Sequence, residues 1–440
     1  MKVFALFLMT SGIGMAQVDW ELPFSIQGQG KVTERSHPQF PGHFHEIDCR
    51  LEMKVDLARQ SAKLTFSYRE ADRWVPQTYY FRAGHIYQVD EDGKATPASS
   101  FGDLELPAMA ILHPKLLDLD KLMNPQNHSS VGVVTQNSLW RKTGDGKTFE
   151  RAVFSDVHGD GLETLTHNGN AVMVTREDSR LFQMSFEAPR ACETFSMPES
   201  FHEIEAKSIS KSEIALKDVG EGLYLIDLVR LNTRVFVVEF DSFLVVYEGA
   251  YSSQNVQLIA EKLETELKKP VKYFAFSHLH DQYIAGIRTW VERGATILAP
   301  ESTKPLIEKV VNAAFSLNPD ALAANPKPLN ILVVDRNFPI EDAEQKLVFW
   351  NIDSQHTKDY LIFHLPRQKV VGSGDLLFYR PGQALKGRSL KFCETLSTLE
   401  LDVETVYATW PLSGYGTKNV VEREELGGYI KTKSDDGLAE

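Results

Sequence analysis

The chain has little cysteine, no long apolar run and no cluster of positive charge, and each shortage removes a class of answer. Three cysteines in 440 residues, Cys49, Cys192 and Cys393, are too few for a disulfide-stapled scaffold, so an apolar core must carry the fold. They permit one bridge with a thiol left over, or three thiols, and their spacing does not choose between these. No segment approaches the ~20 uninterrupted apolar residues of a membrane-spanning helix. With 47 basic against 60 acidic residues the formal charge is −13, and Lys and Arg form no run. A field of that sign repels phosphate, which argues against nucleic acid and anionic membrane surfaces as partners.

What is present suits a folded protein: 42% hydrophobic and 24% charged residues, with 25 Phe and 14 Tyr spread along the chain. That length suits two domains of roughly 200 residues, each able to bury its own core. At the start, MKVFALFLMTSGIGMAQ sets Lys2 before a short apolar core, with Gly14 and Ala16 at small positions before a cut. This is the layout of a signal peptide over residues 1–16, and it predicts a periplasmic or secreted protein that begins near Gln17.

Residues 17–205 read as a β-rich accessory domain. CRLEMKVDL, AKLTFSYRE and TYYFRAGHIYQVDEDGK alternate apolar with polar residues between turns, as antiparallel strands do. The Leu-rich stretch PAMAILHPKLLDLDKLM (107–123) predicts short helices. The boundary falls in the polar stretch 196–214, and residues 206–440 change grammar. GLYLIDLV, TRVFVVEF and SFLVVYEG read as buried strands, and NVQLIAEKLETELKK sets Val256, Ile259, Leu263 and Leu267 on one helical face. The strand VKYFAFS, the helix IAGIRTWVERG, the strand ATILAP and the helix STKPLIEKVVNAAF follow, which is an α/β layered pattern.

Chemistry-bearing residues gather at strand ends. His278 and His280 close the VKYFAFS strand, and an H-x-H pair in extended chain sends both imidazoles to one side. HFH at 43–45 has the same spacing without a supporting motif and reads as structural. After His278 and His280 come His356-Thr357, then KVVGSGD ending in Gly374-Asp375, then Gly414-Tyr415-Gly416.

In that order, and with VVYEG upstream, residues 212–420 resemble the metallo-β-lactamase superfamily, whose pattern is H-x-H-x-D-H-x-x-G, a His before Thr, a strand ending in Gly-Asp, and a final G-H-G. The resemblance implies an αββα sandwich in the C-terminal half. It also implies a first metal bound by His278, His280 and His356, with Asp375 as bridging carboxylate and catalytic residue. The second site is degenerate: Gln282 stands for its Asp, Tyr283 and Tyr415 for its histidines, and Glu248-Gly249 replaces the usual Asp-x-Gly element. Gln is a poor ligand and a phenol of ordinary pKa, about 10, stays protonated. One divalent ion is therefore expected, zinc first, with iron or manganese as alternatives. Asp375 either completes the coordination or orients a water from outside it. Asp281, adjacent in sequence, should point away and is not assigned as the base.

The leading function is an exported single-metal hydrolase of a small molecule. The rival is a non-catalytic module that has lost hydrolase activity and keeps the fold, with the β-rich half meeting an unidentified protein partner. A redox role for Cys393 ranks below both, because LKFCETLSTLELD reads as an amphipathic helix with Phe392, Leu396 and Leu399 on its apolar side. Loop 315–335 is expected to wall the pocket, and it does not identify the substrate.

Overall fold

The computed structural model describes residues 22–34, 45–56, 58–59, 61–70, 73–82, 85–89, 95–96, 141–143, 148–155, 157–168, 171–176, 179–196, 209–413 and 415–430. The segment 1–16 read as a signal peptide, the Leu-rich stretch 107–123 and most of HFH lie outside these residues. The chain divides into two compact units, Met1–Arg35 with Phe44–Ala206, and Ser36–His43 with Lys207–Glu440.

The first unit is one antiparallel sheet. Its strands are β1 Phe24–Glu34, β2 His45–Asp56, β3 Ser61–Glu70, β4 Arg73–Arg82, β5 His85–Val89, β6 Ala95–Thr96, β7 Arg141–Lys142, β8 Thr148–Ser155, β9 Gly159–Asn168, β10 Ala171–Arg176, β11 Ser179–Phe186 and β12 Arg190–Ala191. They run in the order β6-β5-β4-β3-β2-β1-β11-β10-β9-β8-β7, with β12 also on β1. The alternation that identifies the strands also sets their faces. Phe24, Ile26, Leu51, Met53, Val55, Leu64 and Phe66 are buried, while Gln27, Gln29 and Arg50 between them are exposed.

The second unit holds two sheets. One contains β13 Lys217–Gly220, β14 Leu223–Leu228, β15 Thr233–Glu239, β16 Leu244–Tyr247, β17 Val271–Ala275, β18 Thr296–Ala299 and β19 Ile331–Val333, in sequence order. Pairing is antiparallel as far as β16 and parallel from there on. The parallel part needs crossovers, which are supplied by helices α1 Ser253–Glu266, α2 Asp281–Ile284, α3 Ile287–Glu292, α4 Lys304–Val311 and α5 Ala321–Ala324. The other sheet contains β20 Asn337–Glu341, β21 Lys346–Ile352, β22 Tyr360–Leu365, β23 Val370–Gly372, β24 Thr405–Tyr407 and β25 Val420–Glu422, with helix α6 Gly387–Thr398 between β23 and β24 and α7 Arg423–Leu426 after β25.

Strands buried on both faces account for the near-continuous apolar runs. Within β22, Leu361, Phe363 and Leu365 face the core between the sheets, joining Phe236, Val245, Tyr247, Ala275, Leu347 and Phe349. Tyr360 and Ile362 face the opposite way, against Phe392, Cys393 and Leu396 of α6. On the far side of the first sheet, α1 buries Val256, Ile259 and Leu263, and α3 buries Trp290 and Val291. The layers are helix, sheet, sheet, helix, the αββα sandwich expected for this half.

Two local readings differ, and the choice left open for the cysteines is resolved. IAGIRTWVERG is not one helix, because the chain breaks at Gly286 between α2 and α3. Loop 315–335 contains α5 and β19. All three cysteines are free thiols; burial pushes Cys49 and Cys393 up to about 12, and Cys393 sits in the core beneath α6, away from reactive chemistry.

Candidate metal centre

Loops at the edge where the two sheets meet carry the site. His278 and His280 follow β17, His356 lies between β21 and β22, and Asp375 follows β23. Their ligating atoms all lie within 4.8 Å of one another. The route to this convergence is not the strand pleat. The His280 N–H donates to the His278 carbonyl at 2.9 Å, so the H-x-H pair is brought to one side by a tight turn. His356 is held by Ser354, whose hydroxyl accepts the N–H of His356 at 3.2 Å and of Thr357 at 3.0 Å.

Two glycines let the loops close. A Cβ on Gly249 would stand 2.6 Å from the Tyr283 carbonyl oxygen, a carbonyl that accepts the Gly249 N–H at 2.8 Å. Gly374 has φ +58°, and a Cβ there would stand 2.0 Å from the Tyr360 hydroxyl. Asp375 is thereby set against Tyr360, whose hydroxyl donates to Oδ1 at 2.8 Å and accepts the Asp375 N–H at 2.8 Å.

The other oxygen faces the histidines. Asp375 Oδ2 is 3.4 Å from His356 Nε2 and 3.9 Å from His278 Nε2, and the two Nε2 atoms are 3.1 Å apart. Ligands ~2.0 Å from a common tetrahedral ion stand ~3.3 Å apart, so the donor set fits a divalent cation such as zinc. The second nitrogen of His278 is also committed, with Nδ1 2.9 Å from Ser277 Oγ. Placing the proton on Nδ1 leaves Nε2 as a lone pair aimed at the cluster. Burial holds the His278 pKa well below the ordinary range, a push that Asp375 opposes and the neighbouring imidazoles and Arg388 reinforce, so the ring is neutral. For Asp375 burial works upward, yet His278, His356 and Arg388 hold the carboxyl well below its usual value.

The degenerate positions fall into three situations. The Tyr283 ring is buried, with its centroid 5.1 Å from that of His278, and burial pushes its phenol well above the usual range. Gln282 is half-buried and its carbonyl accepts the Tyr251 N–H at 3.3 Å. Tyr415 is 60% exposed, and its ring lies against Trp410 with centroids 5.3 Å apart.

Motif order did not reveal the supporting residues. Tyr360 and Ser277 carry no signature in a buried strand or a serine-histidine pair. Arg388, whose NH1 lies 3.4 Å from Asp375 Oδ2, belongs to no motif at all. Glu248 was visible only as a departure from Asp-x-Gly. It is buried, accepts the Ser277 N–H at 3.1 Å and the Thr409 hydroxyl at 3.4 Å, and burial pushes it up to about 8.

No protein-family model matches the chain, and no curated protein matches it. Solved structures similar to it include a metallo-β-lactamase from Pontibacter korlensis, at 16% identity and TM-score 0.36 over 48% of this chain and 95% of that one. Another from Hirschia baltica gives 16% identity and TM-score 0.36 over 49% and 95%. A third, from Pseudomonas aeruginosa in its mono-zinc form, gives 14% identity and TM-score 0.36 over 52% and 100%. Overlap at that level says nothing of activity, and the fold reading stands on the chain's own layers and on the order in which its loops deliver ligands. On those observations the C-terminal unit has the metallo-β-lactamase fold, with a histidine and aspartate group that could hold a metal ion.

Proposed function

We propose that the C-terminal unit is a hydrolase working with one divalent metal ion, zinc, on a small-molecule substrate, and that the protein is exported. The observation that carries this is the contrast between two sets of positions. His278, His280, His356 and Asp375 converge within 4.8 Å, whereas the places of the second site hold an amide, a buried phenol and an exposed phenol. A divalent ion held by such a set acidifies a water molecule to a pKa near ~7 and polarises a carbonyl or ester oxygen.

The chain's own residues prepare that chemistry. Ser277 fixes the His278 ring, and Ser354 fixes the turn that presents His356. Tyr360 occupies one oxygen of Asp375 and leaves the other turned to the histidines, where it orients a water or completes the coordination. Zinc suits three imidazoles and one carboxylate, and no second set of basic ligands compensates the repulsion a second cation would meet.

Metal analysis of the purified protein should return one ion per chain. His356→Ala should lose it, and Tyr415→Phe should keep it. Two ions per chain would reject the single-metal site, and none after zinc, iron and manganese supplementation would leave the non-catalytic module. Export is checked on material from the native host, whose mass should correspond to a chain beginning near Gln17; an intact Met1 would contradict it.

A further inference from the structure

Arg388 stands beside the same carboxylate oxygen of Asp375 that faces the imidazoles. Its NH1 is 3.4 Å from Asp375 Oδ2, the oxygen a second cation would have to share. Its side chain is 28% exposed, and among the described residues Asp375 is its single polar partner. A guanidinium carries five N–H donors in a planar fork, so most of them remain to be used. The guanidinium carbon lies 4.5 Å from the Phe378 ring centroid, within cation–π range.

From Phe378 an aromatic row continues to solvent. Phe378 meets Trp410 edge-on with centroids 5.8 Å apart, and Trp410 meets Tyr415 at 5.3 Å. Tyr415, at 60% exposure, is among the most exposed large hydrophobic side chains described. The row thus runs from a guanidinium with unused donors to a ring at the surface. Charge points the same way. With a divalent ion bound, the imidazoles, one carboxylate and one guanidinium would leave the site locally positive inside a chain of formal charge −13.

We propose that Arg388 and the row Phe378, Trp410 and Tyr415 form the substrate-binding wall of this site, and that the substrate carries an oxyanion, carboxylate or phosphate, on a flat apolar body. The guanidinium takes over the place of the second cation as anchor for the anion, while the aromatic row receives the body. This rests on the single-metal reading only for the charge of the pocket.

The test is calorimetric titration of the full-length protein, as purified, with benzoate, phenyl phosphate, inorganic phosphate and benzyl alcohol, with metal content measured on the same samples. Benzoate or phenyl phosphate should bind at least tenfold more tightly than inorganic phosphate or benzyl alcohol, and the tighter of the two identifies the oxyanion. Arg388→Gln should weaken that binding tenfold or more at unchanged metal content, and Arg388→Lys should weaken it less, keeping charge and losing the fork. Trp410→Leu should erase the preference over inorganic phosphate. Unchanged affinity in Arg388→Gln would overturn the proposal and leave Arg388 a structural partner of Asp375, as would equal binding of benzyl alcohol. If Arg388→Gln loses metal or fold, the Arg388→Lys and Trp410→Leu comparisons decide. Failure of the single-metal reading shows separately, in the wild-type metal content.

Discussion

Glu248 is an acid enclosed in the interior behind the histidine loops, held by Ser277 and Thr409, and its burial sets a pH dependence that can be measured. Its carboxyl is pushed from 4.5 up to about 8, so the folded protein binds this proton more tightly than the unfolded chain does. The stability it contributes is complete below about 4.5 and is lost as pH rises through about 8. His278 and His364, both held below 6.5, act oppositely, gaining stability as pH rises toward that value. The clean window is therefore between about 6.5 and 8. There the metal-free protein should lose stability by about 1.4 kcal/mol per pH unit, and Glu248→Gln should flatten the slope. Urea unfolding of both proteins at three pH values across that window checks this; parallel slopes would refute it. Residues of this kind mark the limit of sequence reading. The convergence of His278, His280, His356 and Asp375 was legible because their motifs recur in fixed order, whereas Ser277, Tyr360 and Arg388 act through contacts across the fold that no spacing encodes.

Among the elements, β22 shows what pattern reveals and what it hides. Tyr360–Leu365 reads as an unbroken apolar run, which fixes a strand covered on both faces, but the run does not say which face each residue takes. Only the pairing of Phe363 with Gly372 and Phe349 settles that Tyr360 turns toward α6 and Asp375. The H-x-H pair shows a related gap, since a turn at 278–280 produced the convergence expected of a strand. The Tyr360 hydroxyl, buried and making reciprocal bonds with Asp375, has a testable weight. Tyr360→Phe should cost about 1–3 kcal/mol by leaving the Asp375 N–H and one carboxylate oxygen unsatisfied. It should also weaken metal binding on the order of 10- to 100-fold, as loss of a residue supporting a ligand does. Chelator competition measures the second effect and thermal unfolding of the metal-free protein the first; an unchanged metal affinity would show that Tyr360 does not set the carboxylate.

At the scale of the whole molecule, the change from alternating strands to an α/β pattern was legible because the two halves bury their strands differently, on one covered face or on two. A role for the accessory sheet was not legible, since the alternation that sets its faces names no ligand for its exposed Gln27, Gln29 and Arg50. Each unit has its own apolar core, and we expect the second to fold alone. A fragment of residues 207–440 should keep both its thermal transition and its metal; a fragment that folds without binding metal would place part of the site in the first unit.

The four candidate ligands come from loops of two different sheets, His278 and His280 from one and His356 and Asp375 from the other, beside a bond from the Leu361 N–H to the Ser277 carbonyl at 2.7 Å. An ion bound there would work as a clasp. Because it would bind only when both sheets are in register, its affinity and the cohesion of the sandwich would be linked by mass action, each strengthening the other. A substitution deep between the sheets, far from any ligand, should then release the metal before it unfolds the protein.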